Sequence, residues 1–202
     1  MNYLAHIYLA RHDDDAMVGA WLGDFVKANH MDAFPAAMQY EIHLHRRIDS
    51  FTDQHPAMLA AKRLFPEGPR RYAGILLDVF GDYWLTRHWS AVSTESRAGL
   101  VARFYAALRR HEARLPAHAA PIAARMIEQD WLAGYGSAAG VDRTIERIAT
   151  RLSRNGDTMT AGLDTLWRNE AALQDVFAGF FPELQAYVER QRSAGPGGGK
   201  TA

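Results

Sequence analysis

One stretch of the sequence, from Arg70 to Ser90, is apolar on nearly every side and carries two aspartates, Asp78 and Asp82. A helix that is apolar all round is expected to cross a hydrophobic core. The carboxylates are four residues apart and share one face of that helix, and burial there raises the pKa of both. Such a pair needs an arginine partner, protonation or a cation, because buried acids are almost never left unpaired. The stretch therefore predicts a core helix that carries a polar site.

A second helix with a polar line is predicted between Ile42 and Pro56. His45 and Asp49 are separated by four residues, a common spacing for two ligands on one helix face. Asp53 continues the line near the helix end, which proline sets because it disfavours helical geometry in the residue before it. A neutral histidine bonded to the acid and a solvated Asp53 are the alternatives to a ligand role.

Two earlier segments add one polar residue each. His6 lies in the apolar run 3–10, and Asp24 lies at the edge of the apolar face of a helix that is predicted from about 13 to 28. Four segments in the first 85 residues thus place a His or Asp beside an apolar face, and each face needs to be covered by another. A cluster of carboxylates inside an apolar bundle is what a divalent cation stabilises. This predicts a metal site.

Composition restricts the chemistry of that site. The 202 residues include no cysteine, which excludes disulfides, a thiolate nucleophile and Cys-ligated zinc. A metal is then held by His and carboxylates, which suits manganese, magnesium or a His-rich zinc site. The net charge of zero argues against a nucleic-acid binder held by bulk electrostatics. We expect a soluble cytoplasmic protein, because the sequence shows neither a signal peptide nor a membrane span.

The fold class predicted from these patterns is all-α. Further helices are expected over about 95–114, 118–133, 141–154 and 163–192, the last broken or kinked near Pro182. We expect residues 1–192 to form a single catalytic domain. The tail 193–202 has no core residues and is expected to be disordered.

The sequence contains four motifs, in the order NYLAHIYLA, GAWLGDFVK, EIHLHRRIDSFTDQHP and RRYAGILLDVFGDYWLTRHW. The motifs, their order and their approximate spacing resemble the acyl carrier protein phosphodiesterase family, over about residues 1–90. The resemblance implies a single-domain helical bundle of the HD-like phosphohydrolase type. It also implies hydrolysis of the phosphodiester that joins 4′-phosphopantetheine to a serine of holo-acyl carrier protein, with a divalent metal, usually manganese; magnesium is the alternative.

By the same resemblance, the metal ligands are expected among six residues: His6, Asp24, His45, Asp49, Asp78 and Asp82. All of them except His6 are also the candidate catalytic residues. Four arginines are candidate substrate-binding residues, Arg46 or Arg47 for the phosphate and Arg70 and Arg71 for docking of the acidic carrier protein.

The sequence departs from the family pattern at one place within the core helix. Tyr83 follows Asp82 where many family members have histidine, and Gly81 stands where they have an aromatic residue. Two other functions stay open on the residues alone. One is a metal-dependent phosphohydrolase of a small phosphoester or nucleotide. The other is a non-catalytic helical binding protein whose acids pair with arginine.

Overall fold

The computed structural model describes residues 1–152 and 154–195, and within them every regular element is a helix. The all-α prediction is confirmed. The α-helices are α1 (Tyr3–Leu9), α2 (Asp14–Leu22), α3 (Ala36–Gln54), α4 (Pro56–Lys62), α5 (Glu67–Arg70), α6 (Ala73–Arg87), α7 (Trp89–Val92), α8 (Arg97–Arg110), α9 (Ala120–Glu128), α10 (Ala138–Ala149), α11 (Gly156–Thr160), α12 (Gly162–Arg168) and α13 (Glu170–Ser193). Short 3₁₀ segments cover Ala28–Ala33, Glu112–Arg114 and Ala133–Gly136. No helix in the described part of the chain is both long and apolar enough to cross a membrane.

The predicted core helix is α6. Its side chains are buried on almost every side, including those of Leu76, Leu77, Phe80 and Asp82. The second predicted helix is α3, which begins six residues before the predicted start at Ile42. Of the carboxylates of the predicted site, Asp49 lies on α3, Asp78 and Asp82 lie on α6, and Asp24 lies in the turn after α2.

The predicted extent of α2 was wrong at its C-terminal end. The helix stops at Leu22 rather than near residue 28, and the next three residues form a turn. The 3₁₀ segment Ala28–Ala33 follows, and the chain then reaches Pro35, the N-cap of α3. The early stop brings Gly23 and Asp24 to the surface of α3, which matters for the site.

Of the break or kink predicted near Pro182, the structure excludes the break. The chain interrupts its helices earlier, at Ala161 and at Asn169, and α13 then runs through Pro182 without a break. Proline removes one backbone hydrogen bond, but the buried side chains of Phe181 and Leu184 on either side of it pack into the core. Of the predicted tail, residues 196–202 lie outside the described residues.

Asp82 joins α6 to the first turn of α1. Its carboxylate is fully buried, and its two oxygens accept hydrogen bonds from the backbone N–H of Leu4, at 2.8 Å, and of Ala5, at 3.0 Å. The first N–H groups of a helix have no partner within the helix, so a carboxylate placed there satisfies them. Burial raises the pKa of Asp82 to about 7, although the two N–H donors lower it. Asp82 thus fixes the position of the short helix that carries His6.

Asp82→Asn is expected to destabilise the fold by about 1–3 kcal/mol, because an amide offers one acceptor oxygen to two buried N–H donors. Denaturant unfolding measures this difference. Asp13→Asn is the matched control: exposed Asp13 caps α2 through a single bond to the Ala16 N–H, and asparagine caps a helix equally well. Equal stability of the two variants would contradict the capping role of Asp82.

Candidate metal centre

His45 on α3 contacts α2 through one ring nitrogen and two carboxylates through the other. Its Nδ1 lies 2.7 Å from the carbonyl oxygen of Ala20 on α2. A carbonyl can only accept, so Nδ1 carries a hydrogen and the ring is fixed in orientation. Its Nε2 lies 3.2 Å from Asp49 Oδ2 and 3.4 Å from Asp24 Oδ1. The end of α2 therefore aims one ring nitrogen of His45 at two carboxylates.

His6 approaches the same carboxylate from α1. Its ring is buried and stacks on that of His45, with centroids 3.8 Å apart and planes 15° from parallel. The Nε2 of His6 lies 3.1 Å from Asp49 Oδ1 and 3.0 Å from the carbonyl oxygen of Met1. The two oxygens of Asp49 thus each meet one histidine, and Asp49 is the centre of the cluster.

The pKa values of the two stacked histidines are shifted in opposite directions. Burial and the adjacent charge of His45 lower the pKa of His6 to about 4. Burial also opposes the charging of His45, but the bonds to Asp24 and Asp49 outweigh it and raise the pKa of His45 to about 9. Burial likewise opposes ionisation of Asp49, yet its bonds to His45 and His6 hold its pKa well below the usual range. Without a cation, His45 is the charged imidazole at neutral pH and His6 the neutral one, and a cation bound at Nε2 of His45 would displace its proton.

Of the six predicted ligands, the structure brings His6, His45 and Asp49 together, with one donor atom of each within 4.8 Å of the others. Two imidazole nitrogens and a carboxylate oxygen are donors that divalent transition metals accept. The hydrogen bond from His45 Nδ1 to a backbone carbonyl is the support that metal-bound histidines normally have. His6 fits less well, because its Nδ1 is buried without a hydrogen-bond partner among the described residues. The donor set fits a divalent cation, with His45 and Asp49 as its best-placed members.

Asp24 borders this cluster on the solvent side. Its side chain is 48% exposed, so it can meet a ligand that arrives from solution. Burial opposes its ionisation, but the bond to His45 outweighs this and lowers the pKa of Asp24. The carboxylate therefore stays charged at neutral pH beside His45.

Asp78 and Asp82 have other partners. Asp78 is half-buried, and its Oδ1 lies 2.8 Å from the amino nitrogen of Met1. The same nitrogen lies 3.6 Å from Asp49 Oδ1. Burial raises the pKa of Asp78, and the positive amino group opposes that shift. Asp82 uses both oxygens at α1 and is not brought into the cluster. Asp53 is exposed, and its Oδ1 pairs with the ammonium of Lys62 at 2.7 Å.

Gly23 is a site-shaping residue that the sequence reasoning missed. A Cβ atom built on Gly23 would lie 2.2 Å from Cγ and 2.5 Å from Cβ of His45. Gly23 has ordinary right-handed helical dihedrals, so the position needs glycine for space rather than for backbone conformation. The Gly-Asp dipeptide at 23–24 was the available signal: a helix end at which a side chain can approach closely.

The four predicted substrate-binding arginines contact acceptors or rings of the protein itself. Arg46 donates to the carbonyl oxygen of Val26, and Arg47 donates to Gln191 Oε1 at 2.7 Å. Arg70 Nε donates to the carbonyl oxygen of Phe65 at 2.8 Å, and the guanidinium of Arg71 lies 5.0 Å from the ring centroid of Tyr72. Their roles toward substrate stay predictions.

Tyr83 and Gly81 of α6 have neighbours on other elements. The hydroxyl of Tyr83 donates to Glu170 Oε1 at 2.8 Å, on α13. A Cβ on Gly81 would lie 2.8 Å from Phe177 and 2.9 Å from the Met1 side chain, so an aromatic residue does not fit there without rearrangement. Gly81 leaves room for Met1 beside Asp78.

Comparisons with known proteins agree on one family. The family model described as acyl carrier protein phosphodiesterase matches residues 1–184. A protein of Escherichia coli O157:H7 named acyl carrier protein phosphodiesterase is 31% identical over 195 residues, covering 95% of this chain and 99% of its own length. Proteins of the same name from Enterobacter sp. strain 638 and from Photorhabdus laumondii are 30% and 28% identical, covering 95% of this chain and 100% and 96% of their own.

No solved structure matches the chain, so the HD-like part of the fold prediction stays a prediction. The family match extends well beyond the four motifs of the first 90 residues and includes most of the helices that follow them. The chain belongs to the acyl carrier protein phosphodiesterase family.

Proposed function

We propose that this protein hydrolyses the phosphodiester between 4′-phosphopantetheine and the serine of holo-acyl carrier protein. Water adds to phosphorus, the bond from phosphorus to the serine oxygen breaks, and the products are apo-acyl carrier protein and 4′-phosphopantetheine. Family membership over residues 1–184 supports this reaction, as do the names of the relatives. We further propose that residues 1–192 act as one catalytic domain.

The observation that carries the proposal is the convergence of His6, His45 and Asp49 on one point, with Asp24 at its exposed edge. These residues come from α1, α3 and the turn after α2. A buried pair of stacked histidines around one carboxylate has little value as packing, because each group must be desolvated. Its donor atoms suit a cation, which supports the proposal.

We infer that the cation is divalent and that manganese is the functional ion. When bound, such a cation supplies Lewis acidity toward the phosphoryl oxygens and acidifies water. His45 and Asp49 would hold it, with His6 and Asp24 as the neighbouring ligands. The carboxylate and imidazole donors suit manganese, and the carboxylates also accept magnesium.

The remaining residues hold this arrangement in place. Ala20 orients His45 through its carbonyl oxygen, Gly23 leaves the space for the ring, and Asp82 fixes α1 and with it His6. Asp24 keeps a charged carboxylate at the exposed edge, where the phosphodiester would enter. Each of these contributions is positional and acts before the substrate binds.

Chelation is expected to stop the reaction. After treatment with EDTA and removal of the chelator, turnover of holo-acyl carrier protein should fall to the background rate, and added manganese should restore it, because the proposed reaction depends on the cation to acidify water. Mass spectrometry of the carrier protein follows the loss of phosphopantetheine directly. Magnesium and zinc serve as comparison ions.

Undiminished turnover by protein shown to be metal-free by elemental analysis would end the metal proposal. Restored activity toward small phosphoesters or nucleotides, without activity toward holo-acyl carrier protein, would instead place the reaction on another substrate. The two results are independent, since one concerns the cation and the other the phosphoester.

A further inference from the structure

The exposed carboxylate of the candidate metal centre, Asp24, lies in a short turn. Helix α2 ends at Leu22, and the next regular element is the 3₁₀ segment Ala28–Ala33. In the turn, the backbone N–H groups of Phe25 and Val26 both donate to the carbonyl oxygen of Leu22, each at 2.9 Å. Ordering an exposed turn costs conformational entropy, so it keeps one shape only where contacts hold it.

An arginine of α3 supplies the first of these contacts. The guanidinium of Arg46 donates to the carbonyl oxygen of Val26, two residues after Asp24. Arg46 follows His45, whose two ring nitrogens face Ala20 and Asp24. Two consecutive residues of α3 thus contact the chain both before and after Asp24. A hydrogen bond from a charged donor is about twice as strong as one between neutral groups.

A histidine in the turn before α9 supplies the second contact. Nε2 of His118 lies 3.0 Å from the carbonyl oxygen of Phe25, and because a carbonyl only accepts, this nitrogen carries a hydrogen. The ring centroid of Phe25 also lies 6.2 Å from that of His118 and 4.4 Å from that of the buried Trp21. The carbonyl oxygens of both residues that follow Asp24 therefore accept from side chains of other elements.

We propose that Arg46 and His118 are positioning residues that hold Asp24 beside Nε2 of His45. Asp24 Oδ1 lies 3.4 Å from that nitrogen, and the side chain is 48% exposed, so its place depends on the backbone that carries it. The inference rests on the proposed function, in which Asp24 is a neighbouring ligand of the cation. It gives Arg46 a role other than the phosphate contact expected from the sequence.

The test measures manganese affinity by calorimetry on protein freed of metal, without substrate. Arg46→Met keeps the length of the side chain but removes the donor, and we expect it to weaken manganese binding about 10-fold. Arg46→Lys should recover most of the affinity, because one carbonyl oxygen needs one donor. Lysine would not replace a planar guanidinium that binds a phosphate through two hydrogen bonds.

The histidine is tested in the same way. His118→Ala is expected to weaken manganese binding about 3-fold, which corresponds to one neutral hydrogen bond. His118→Gln should recover part of this loss, since the amide keeps an N–H donor.

A double-mutant cycle shows whether the two residues act through Asp24. In an Asp24→Asn background, Arg46→Met and His118→Ala should have no further effect on manganese affinity. Arg97→Met is the matched control, because Arg97 is half-buried like Arg46 and its guanidinium donates to the carbonyl oxygen of Leu132, at 2.9 Å. That variant should bind manganese as the wild type does.

Hydrogen exchange of the turn gives a measurement that needs no cation. In metal-free protein, the amides of Phe25 and Val26 should exchange about 10-fold faster in Arg46→Met than in the wild type, because the turn opens more often. Arg97→Met should leave their exchange rates unchanged.

Four results would overturn the inference. They are wild-type manganese affinity in both Arg46→Met and His118→Ala, an equal loss of affinity in the Asp24→Asn background, unchanged exchange of the two amides in Arg46→Met, and a raised KM for holo-acyl carrier protein with unchanged manganese affinity, since Arg46 would then contact the substrate. If the wild type binds no manganese while the exchange of the turn depends on Arg46, the positioning of the turn is upheld and the proposed cation is rejected instead.

Discussion

Asp49→Asn is expected to lower turnover of holo-acyl carrier protein by about three orders of magnitude or more, since a bound metal supplies several kcal/mol of transition-state stabilisation. The amide keeps the shape of the carboxylate but removes the charge that lies between His6 and His45. Manganese affinity should fall in parallel, measured by calorimetry on protein freed of metal. Because Asp49 is only half-buried, we expect the fold to survive, which circular dichroism checks.

Asp53→Asn is the control for this experiment. It makes the same chemical change one turn later on α3, where the carboxylate is exposed and pairs with Lys62. Activity and manganese affinity of that variant should stay near the wild-type values. If both variants lost activity equally, the effect would come from the charge of α3 and not from the cluster. Near-normal turnover by Asp49→Asn would remove Asp49 from the site altogether.

Gly23→Ala is expected to have the second largest effect, although it adds one methyl group. That carbon would lie 2.2 Å from Cγ of His45, so the imidazole or the end of α2 has to move. Overpacking of this kind costs about 1–3 kcal/mol of stability. A displacement of about 1 Å at a reacting centre costs about 10²-fold in rate. We therefore expect turnover to fall about 10²-fold, together with a lower midpoint of thermal unfolding.

Gly179→Ala is the matched control, because Gly179 lies inside α13 and a Cβ there meets no atom within 4 Å. Alanine is the better helix former by about 0.5–1 kcal/mol, so this variant should be slightly more stable and equally active. The two substitutions thus have opposite expected signs. Unchanged manganese affinity in Gly23→Ala would contradict the claim that Gly23 makes the space for His45.

The sequence could predict that α3 and α6 are long core helices, because their apolar periodicity is strong and continuous. It also identified His6, His45 and Asp49, since each borders an apolar face that another segment has to cover. Their convergence depends on the tertiary structure, so the sequence could suggest that they meet but could not give the distances between them. Whether they hold a metal stays a prediction that the experiments above address.

Sequence reasoning misjudged residues whose role depends on backbone partners or on close packing. Asp82 was grouped with Asp78 because both interrupt one apolar helix, yet its oxygens accept from the N–H groups of α1, which no side-chain pattern indicates. Gly23 matters because the missing side chain leaves room for the His45 ring, directly after the end of α2. A break or kink was predicted near Pro182 from local propensity, without the packing that keeps α13 continuous there.

The hydrogen bonds between Asp82 and α1 make the first helix of the chain depend on a residue far along the sequence. A helix of seven residues is not stable in water by itself, so α1 depends on tertiary contacts, among them the bonds to the carboxylate of α6, 77 and 78 residues later in the chain. The contacts that fix α1, and with it His6, therefore need the chain through α6. A growing polypeptide therefore does not present the complete cluster, and a cation that binds the finished cluster adds its affinity to the stability of the native state.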